Sequence, residues 1–517
     1  MKMRRIVKKL ALSALLVILI VVLALITCVF WPMEQLEPVV SSGPIVIANV
    51  TVIDTEDGTQ QPGMTVVVAG DHIIAVGPGD SIAAPDAAEI IDGSGKYLLP
   101  AFWDMHVHIP LKLSPQLYLP LLIAHGVTKI RVMSGDCHDP GDPLLSCIED
   151  QREWNRQIMA GELVGPKIMA VGSFPINGPV QRSEDWPAFF GPGTEADARR
   201  LVHHLVERGV DFIKVYSYMP RDAFLALMDE AEKAGIEVMG HKPLAVSAIE
   251  ASNAGMKSLD HAQLFLFECY PGAEEFRRTT TTRNPSTLNR REMLDSHDSA
   301  MCDAVFETFV QNGTWYCPTH LTRKMDAFAD DEAYRNDPRL KYVARLQRKL
   351  WNADADGMIE HDPSPEGRKA FMEFYLAGLE LTGRAHAAGV KVLAGTDAPD
   401  TYVFPGSSLH DELEELVTAG LTPAEALRAS TVGPAEYFGV TEDYGTVAAG
   451  RVADLVLLDA NPLDDIANTR AIYAVVFNGN LYTRADLDRL LDYVEEQANS
   501  FAISSRVLWG YIRKEMF

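Results

Sequence analysis

Residues 195–216 read EADARRLVHHLVERGVDFIKVY, and the three-part texture of this stretch decides the fold. EADARRLVHHLVER places apolar side chains at helical spacing, one stripe among charges. Gly209 follows, the residue that ends helices in the left-handed conformation at least cost. After it, the nearly continuous apolar run around Phe212, Ile213 and Val215 fits a parallel strand covered on both faces. The same helix, glycine, strand rhythm restarts at Gly126, Gly165, Gly235, Gly255, Gly313 and Gly389. With KYLLPAFWDMHVH (96–108) in front, the units number eight, the count that closes a (β/α)8 TIM barrel of the α/β class. The barrel is assigned to 100–440.

The flanks have another texture. IVIANVTVID, MTVVVAG and HIIAVG, within 44–99, are short strands punctuated by Gly and Asp, and similar runs return in 441–483 as VADLVLLD and IYAVVFNG. Both pieces are expected to build one small β-sandwich from the two chain ends. Residues 484–517 read as a helical tail whose last segment, with Trp509, Tyr511 and Phe517 beside basic residues, packs on the barrel or lies in a membrane interface.

Charge is uneven along the chain. The first nine residues hold Lys2, Arg4, Arg5, Lys8 and Lys9 and no acid; taking these five from 46 basic residues leaves 41 against 71 acidic ones. So acidic a body argues against a nucleic-acid partner, which would need a basic face. Leu10–Met33 is an uncharged run of 24 residues, roughly 36 Å as a helix and long enough to span a bilayer core of about 30 Å. Residues 1–33 are therefore read as a single-pass membrane anchor with the basic end in the cytoplasm and the catalytic domain outside. A cleaved signal segment, giving a secreted protein, and lipidation at Cys28 stay open; all three export the chain. In such a compartment Cys137 and Cys147 are candidates for a disulfide closing the loop DCHDPGDPLLSC, though spacing alone leaves the geometry open. No C-x-x-C pair suggests a thiolate zinc site.

Strand C-termini of a TIM barrel point polar side chains into the mouth. Here they carry an unusual set. Strand one ends in His106-Val107-His108, two residues apart and hence on one side. Lys214 stands amid Phe212, Ile213 and Val215 on strand four; strand five ends at His241, strand six at His261, strand eight at Asp397 in GTDAP. Each is weak alone; five strand ends in order make one cluster.

The chain here resembles the amidohydrolase superfamily, in its imidazolonepropionase-like branch with prolidase-type dipeptidases. The likeness runs from about Ile45 to Tyr482. It is carried by the H-x-H after PAF-D, the IKVY strand, GSSLHDELEELVTAGLTPAEALRASTVGPAEYFGV and the closing GTVAAGRVADLVLLDANPL. The resemblance implies two divalent metal ions, zinc first and manganese or cobalt next. His106, His108 and Asp397 would hold the more buried ion, and His241 and His261 the more exposed one. Lys214, carboxylated by CO2, would bridge the two through its carbamate. It also implies attack of metal-bound hydroxide on an amide, Asp397 acting as general base and then acid. Tyr216, two residues beyond Lys214 on the same face, is the candidate oxyanion donor and substrate contact.

Other substrate contacts are less marked. His320, at the end of strand seven, is one. Arg277 and Arg278 are two more, from a long insert between Leu264 and His297 that also holds Arg283, Arg290 and Arg291; arginine suits a substrate carboxylate because it binds bidentately. His410, just past strand eight, is read as bracing the next helix. The loop after GTDAP departs from the family, which often has a small residue after Asp-Ala. The expected substrate is a dipeptide or N-acyl amino acid; a cyclic amide or a lactone or ester is the rival within enzymes, and a catalytically silent binding protein on the same barrel the rival outside them. A homo-oligomer is left open.

Overall fold

In the computed structural model, residues 35–181 and 186–516 are described continuously, together with scattered positions between 9 and 33. The segment 1–33, expected to be an anchor, lies largely outside the described residues; among those described, no helix is long and apolar enough to cross a membrane.

Eight parallel chain segments close the barrel. β6 (Phe102–Val107), β7 (Val127–Val132) and β8 (Lys167–Val171) pair in order, as do β9 (Phe212–Val215), β10 (Glu237–Gly240), β11 (Ser258–Asp260) and β12 (Trp315–Cys317). Parallel bridges Gly172–Phe212 and Ile176–Val215 join the two groups. The eighth segment, 390–398, pairs with β12 through Tyr316–Val392 and returns to β6 through Val107–Ala398. The strands are short and nearly all buried, as expected where helices cover one face and barrel-filling side chains the other. Gly209 caps its helix at φ 76°, donating its amide to Leu205 and Val206 carbonyls, as its sequence position predicts.

The two β-rich ends form one sheet, of order β15-β14-β13-β5-β1-β2-β3, with β4 beside β1. Here β1–β5 are Ile45–Ile53, Gln60–Ala69, His72–Pro78, Glu89–Asp92 and Tyr97–Pro100; β13–β15 are Leu455–Leu458, Ile472–Phe477 and Asn480–Thr483. Strand alternation sorts its side chains. Ile45, Ile47, Val66, Val68, Leu455, Leu457 and Val476 fill a core of their own, whereas Leu99, Val456, Leu458, Val475 and Phe477 join the barrel core. A single sheet enclosing its own core must curl, so the sandwich is one folded sheet and not two separate ones. The tail forms helices Arg484–Asn499 and Phe501–Met516; Leu487, Leu490 and Ala498 bury the first against the barrel core.

Cys137 and Cys147 are joined by a disulfide, and a second, not anticipated from the sequence, joins Cys269 to Cys302.

Candidate metal centre

The strand ends bring His106, His108, Lys214, His241, His261 and Asp397 together. His108 Nε2 lies 2.7 Å and His106 Nε2 3.3 Å from one oxygen of Asp397. His106 Nε2 is also 3.4 Å from Lys214 Nζ. On the other side His241 and His261 face each other, Nε2 to Nε2, at 2.7 Å, and the His261 ring stands 5.1 Å from that of His106. His106, His108 and Asp397 offer three ligand atoms all within 4.8 Å of one another. Space for the lysine stem comes from the neighbouring strand: a Cβ at Gly240, whose φ is +117°, would stand 2.6 Å from Lys214 Cδ.

Outer partners aim three of the rings. Ser134 Oγ meets His108 Nδ1 at 2.6 Å, Ser217 Oγ meets His241 Nδ1 at 3.0 Å, and Thr319 Oγ1 meets His261 Nδ1 at 2.8 Å. An imidazole whose Nδ1–H is taken by an oxygen presents its Nε2 lone pair, the tautomer a metal needs. With both Nδ1 protons so placed, the facing Nε2 lone pairs of His241 and His261 repel, and a shared cation relieves the contact. Buried His106 Nδ1 has no hydrogen-bond partner. This donor set, imidazole nitrogen and carboxylate oxygen with hydroxyl-oriented rings, fits zinc and similar divalent ions. Backbone strain gathers at the same place: His261 (φ 79°), Asp397 (φ 67°) and Thr319 (φ 44°) all occupy the left-handed region that L residues seldom adopt.

Electrostatics suits the cluster to cations. Burial, then the charge on Lys214, pushes His106 down to about 4. Burial also drives His241 and His261 well below the ordinary histidine value. These imidazoles are thus neutral near neutral pH. Burial lowers Lys214 as well, which favours the free amine that reacts with CO2. Asp397 resists burial, which would raise it, because His106 and hydrogen bonds with His106 and His108 hold its carboxyl well below the usual range. Cys317, whose thiol lies near His106 and Asp260, is raised by burial and stays protonated, a poor ligand.

Asp260, one residue before His261, was not singled out in the sequence. Its Oδ2 lies 3.3 Å from Lys214 Nζ and 3.4 Å from His106 Nδ1, with Arg131 at 3.8 Å behind it. It supports the lysine and the His106 Nδ1 from below. Position alone could have flagged it, as an acid at the C-terminal end of a barrel strand.

Three expected substrate contacts stand elsewhere. Thr319 turns the chain so that His320 begins the helix His320–Phe328. The His320 ring is fully buried, Nδ1 on Glu412 and Nε2 on Thr382, and offers no nitrogen to a ligand. Arg278 pairs with Glu275 on the surface, and Arg277 with Glu268, which also holds buried Lys242 at 3.0 Å. The arginine that reaches the site is Arg283. Its Nη1 donates to Tyr216 Oη at 2.8 Å, and it lines a small cavity of about 20 Å3 with Ser217, His241, Lys242, His261 and Gln263. Tyr216 itself packs on His241, ring centroids 3.8 Å apart. His410 braces its helix as expected, bonding Thr469 and the His125 carbonyl.

Comparisons with known proteins agree on the kind of machine. Residues 377–482 match the amidohydrolase family. An adenine deaminase of Desulforamulus reducens is 32% identical over 19% of this chain and 16% of that protein, and an imidazolonepropionase of Shouchella clausii is 33% identical over 23% and 29%. The chain thus aligns with less than a third of either curated relative. Over nearly the whole length, a bottromycin amidohydrolase structure is similar at 25% identity and TM-score 0.65, covering 88% of this chain and 90% of that one. A Xaa-Pro dipeptidase with bound methionine shares the fold at 18% identity and TM-score 0.59, covering 85% and 100%.

Proposed function

We propose that this chain, an amidohydrolase-superfamily hydrolase of carbon–nitrogen bonds, cleaves the amide of a dipeptide or N-acyl amino acid at a two-metal centre. One observation carries the reading: four imidazoles, Asp397 and Lys214 converge, with two facing Nε2 atoms that a cation would reconcile. His106, His108 and Asp397 would hold one ion and His241 and His261 the other, with Lys214 as a carbamate between them. Bound there, divalent metal, zinc by first choice, supplies Lewis acidity toward the carbonyl and toward water.

The chain's own groups do the rest. Asp397, held anionic by its two histidines, accepts the proton of water and passes it to the leaving nitrogen. Tyr216, fixed by Arg283, offers its hydroxyl proton to the carbonyl oxygen as charge develops there. Arg283 adds a cation at the rim for a substrate carboxylate, the part first given to Arg277 and Arg278. The names of the relatives, an amidohydrolase and an imidazolonepropionase among them, keep both linear and cyclic amides in view.

A screen of dipeptides, N-acyl amino acids, cyclic amides and lactones, run beside Lys214→Ala, tests this. Linear amides hydrolysed by the wild type and not by the variant are expected. Activity unchanged in Lys214→Ala, or purified protein reconstituted with bicarbonate and zinc that holds well under one metal per chain, overturns the two-metal reading. Arg283→Met is expected to raise KM about 10-fold more for substrates with a free carboxylate than for amidated ones, the scale of one charged hydrogen bond, while the loosened Tyr216 lowers kcat for both.

We also infer export, with the catalytic domain tethered outside the cytoplasm by residues 1–33. Two disulfides support an oxidising compartment. Protease added to intact cells should remove the activity; protection until lysis would refute this.

A further inference from the structure

The mouth of the barrel is divided by polarity. On the side of β9–β11 stand Ser217, Lys242 and Arg283 around a cavity of about 20 Å3, room for little more than a small polar group. On the opposite side, between the loops that follow β6 and β7 and the loop after Asp397, lies a groove of about 390 Å3. That volume falls within the roughly 300–1,000 Å3 of small-molecule sites. Pro110, Leu111, Leu144, Leu346, Leu350 and Pro399 are among its walls, and none of its lining residues is charged. Pro110 and Pro399 are each two residues beyond a member of the cluster, His108 and Asp397; the cluster itself does not line the groove, but these two walls bring it alongside the reacting centre. All three of these loops leave strand C-termini, which places the groove on the mouth face. Leu350 lies open to solvent at its edge, 52% exposed, and Val507 of the last helix closes another.

We propose that this groove holds the apolar acyl chain of the substrate, which makes the natural substrate a medium- or long-chain N-acyl amino acid. The proposal rests on the hydrolytic reading above and narrows it. A dipeptide would bring a free ammonium group to the acyl side, where the groove offers it no acid. An alkyl chain gains from every methylene it buries there, while its amino-acid carboxylate meets Arg283 on the far side. Water adds across the acyl–nitrogen bond: the acyl carbon takes hydroxyl, the nitrogen takes hydrogen, and a fatty acid and an amino acid leave.

Two measurements test it. The first is kcat/KM for N-acetyl-, N-octanoyl- and N-dodecanoyl-alanine and for alanyl-alanine. It should rise about 100-fold from acetyl to octanoyl, the scale of several buried methylenes, with alanyl-alanine the poorest. Leu346→Trp, which fills the groove, should cost the dodecanoyl substrate about 10-fold more than the acetyl one. Leu350→Gln, at an exposed position, should act in the same direction and guards against a folding defect. The second is binding of dansyl-undecanoic acid, read by fluorescence, strong in wild type and weakened about 10-fold in Leu346→Trp. A flat chain-length profile, alanyl-alanine as the best substrate, or equal binding of the probe by wild type and both variants overturns the acyl site. If no amide of any length is hydrolysed yet the probe binds and Leu346→Trp weakens it, the apolar-chain site stands and the hydrolytic reading falls.

Discussion

Two layers of buried polar side chains cross this barrel, and they are satisfied in opposite ways. Toward the floor, Arg131 gives its Nε to the Met105 carbonyl and Nη1 to Ser258 and Tyr437, while Lys129 pairs with Asp454 and lies over the Tyr444 ring, 4.3 Å from its centroid. Charge there is largely matched by charge or by hydrogen bonds; of these groups only Arg131 Nη2 makes no hydrogen bond, its carboxylate neighbour Asp260 standing 3.8 Å away. At the mouth, nitrogen faces nitrogen between His241 and His261, and the backbone is strained at His261 and Asp397. Burying unmatched polar atoms costs stability, so the upper layer is arranged for something the chain alone does not provide. The lower one serves the fold.

Substitution should separate the layers. The largest effect is expected at the top: Lys214→Ala or Asp397→Asn should lower kcat/KM roughly 1,000-fold or more, beyond the 10–100-fold of losing an outer partner, with the thermal midpoint little changed. A collapse of the midpoint with activity per folded molecule retained would make the upper layer structural and erase the contrast. Next, Asp454→Ala should cost about 3–5 kcal/mol by leaving Lys129 buried without its counter-charge. Denaturant unfolding measures this, while turnover per folded molecule stays at the wild-type level. Ser217→Ala should weaken divalent-metal affinity about 10–100-fold by freeing the His241 ring, read by competition with a chelator. Retention of full affinity would mean that the ring is held by packing against Tyr216.

The smallest effect belongs to histidines outside both layers. Burial, then the nearby arginines Arg339 and Arg484, depress His125 to about 4, against about 6.5 when unfolded, and burial also lowers its neighbour His410. The unfolded chain therefore takes up these protons first. The stability tied to neutral His125 is complete above about pH 6.5 and is lost as pH falls toward 4. The thermal midpoint of metal-free protein should decline over that window; a midpoint flat from pH 7 to 4 would contradict the burial of these rings.

What could be read from the sequence follows from where each residue sits. Strand ends after glycine-led apolar runs are fixed by periodicity, so His106, His108, Lys214, His241, His261 and Asp397 could be placed before any coordinates. Loops carry no such rule. Five arginines in one insert looked alike, and only the folded chain distinguishes Arg283, over the site, from Arg277 and Arg278, taken up by Glu268 and Glu275. His320 was misread because the turn at Thr319 carries it into a helix and onto Glu412, a pairing 92 residues away in sequence. Asp260 hid as an ordinary strand residue beside a histidine. The disulfide between Cys269 and Cys302 depends on the bend after β11 meeting the helix Ser299–Asn312, which cysteine spacing does not encode.

The pair between Lys129 and Asp454 has a temporal meaning. The two residues stand 325 positions apart, one on the second barrel strand and the other just before β13 in the returning sheet. A growing chain makes the lysine early and its counter-ion only after every residue of the cluster has been made, so until then a cation sits uncompensated in what will be the barrel floor. Completion of the floor is therefore a late event in the chain's synthesis, and it acts as a check on length: a fragment stopping short of β13 can contain all six residues of the cluster and still lack the counter-charge that lets the barrel close around them.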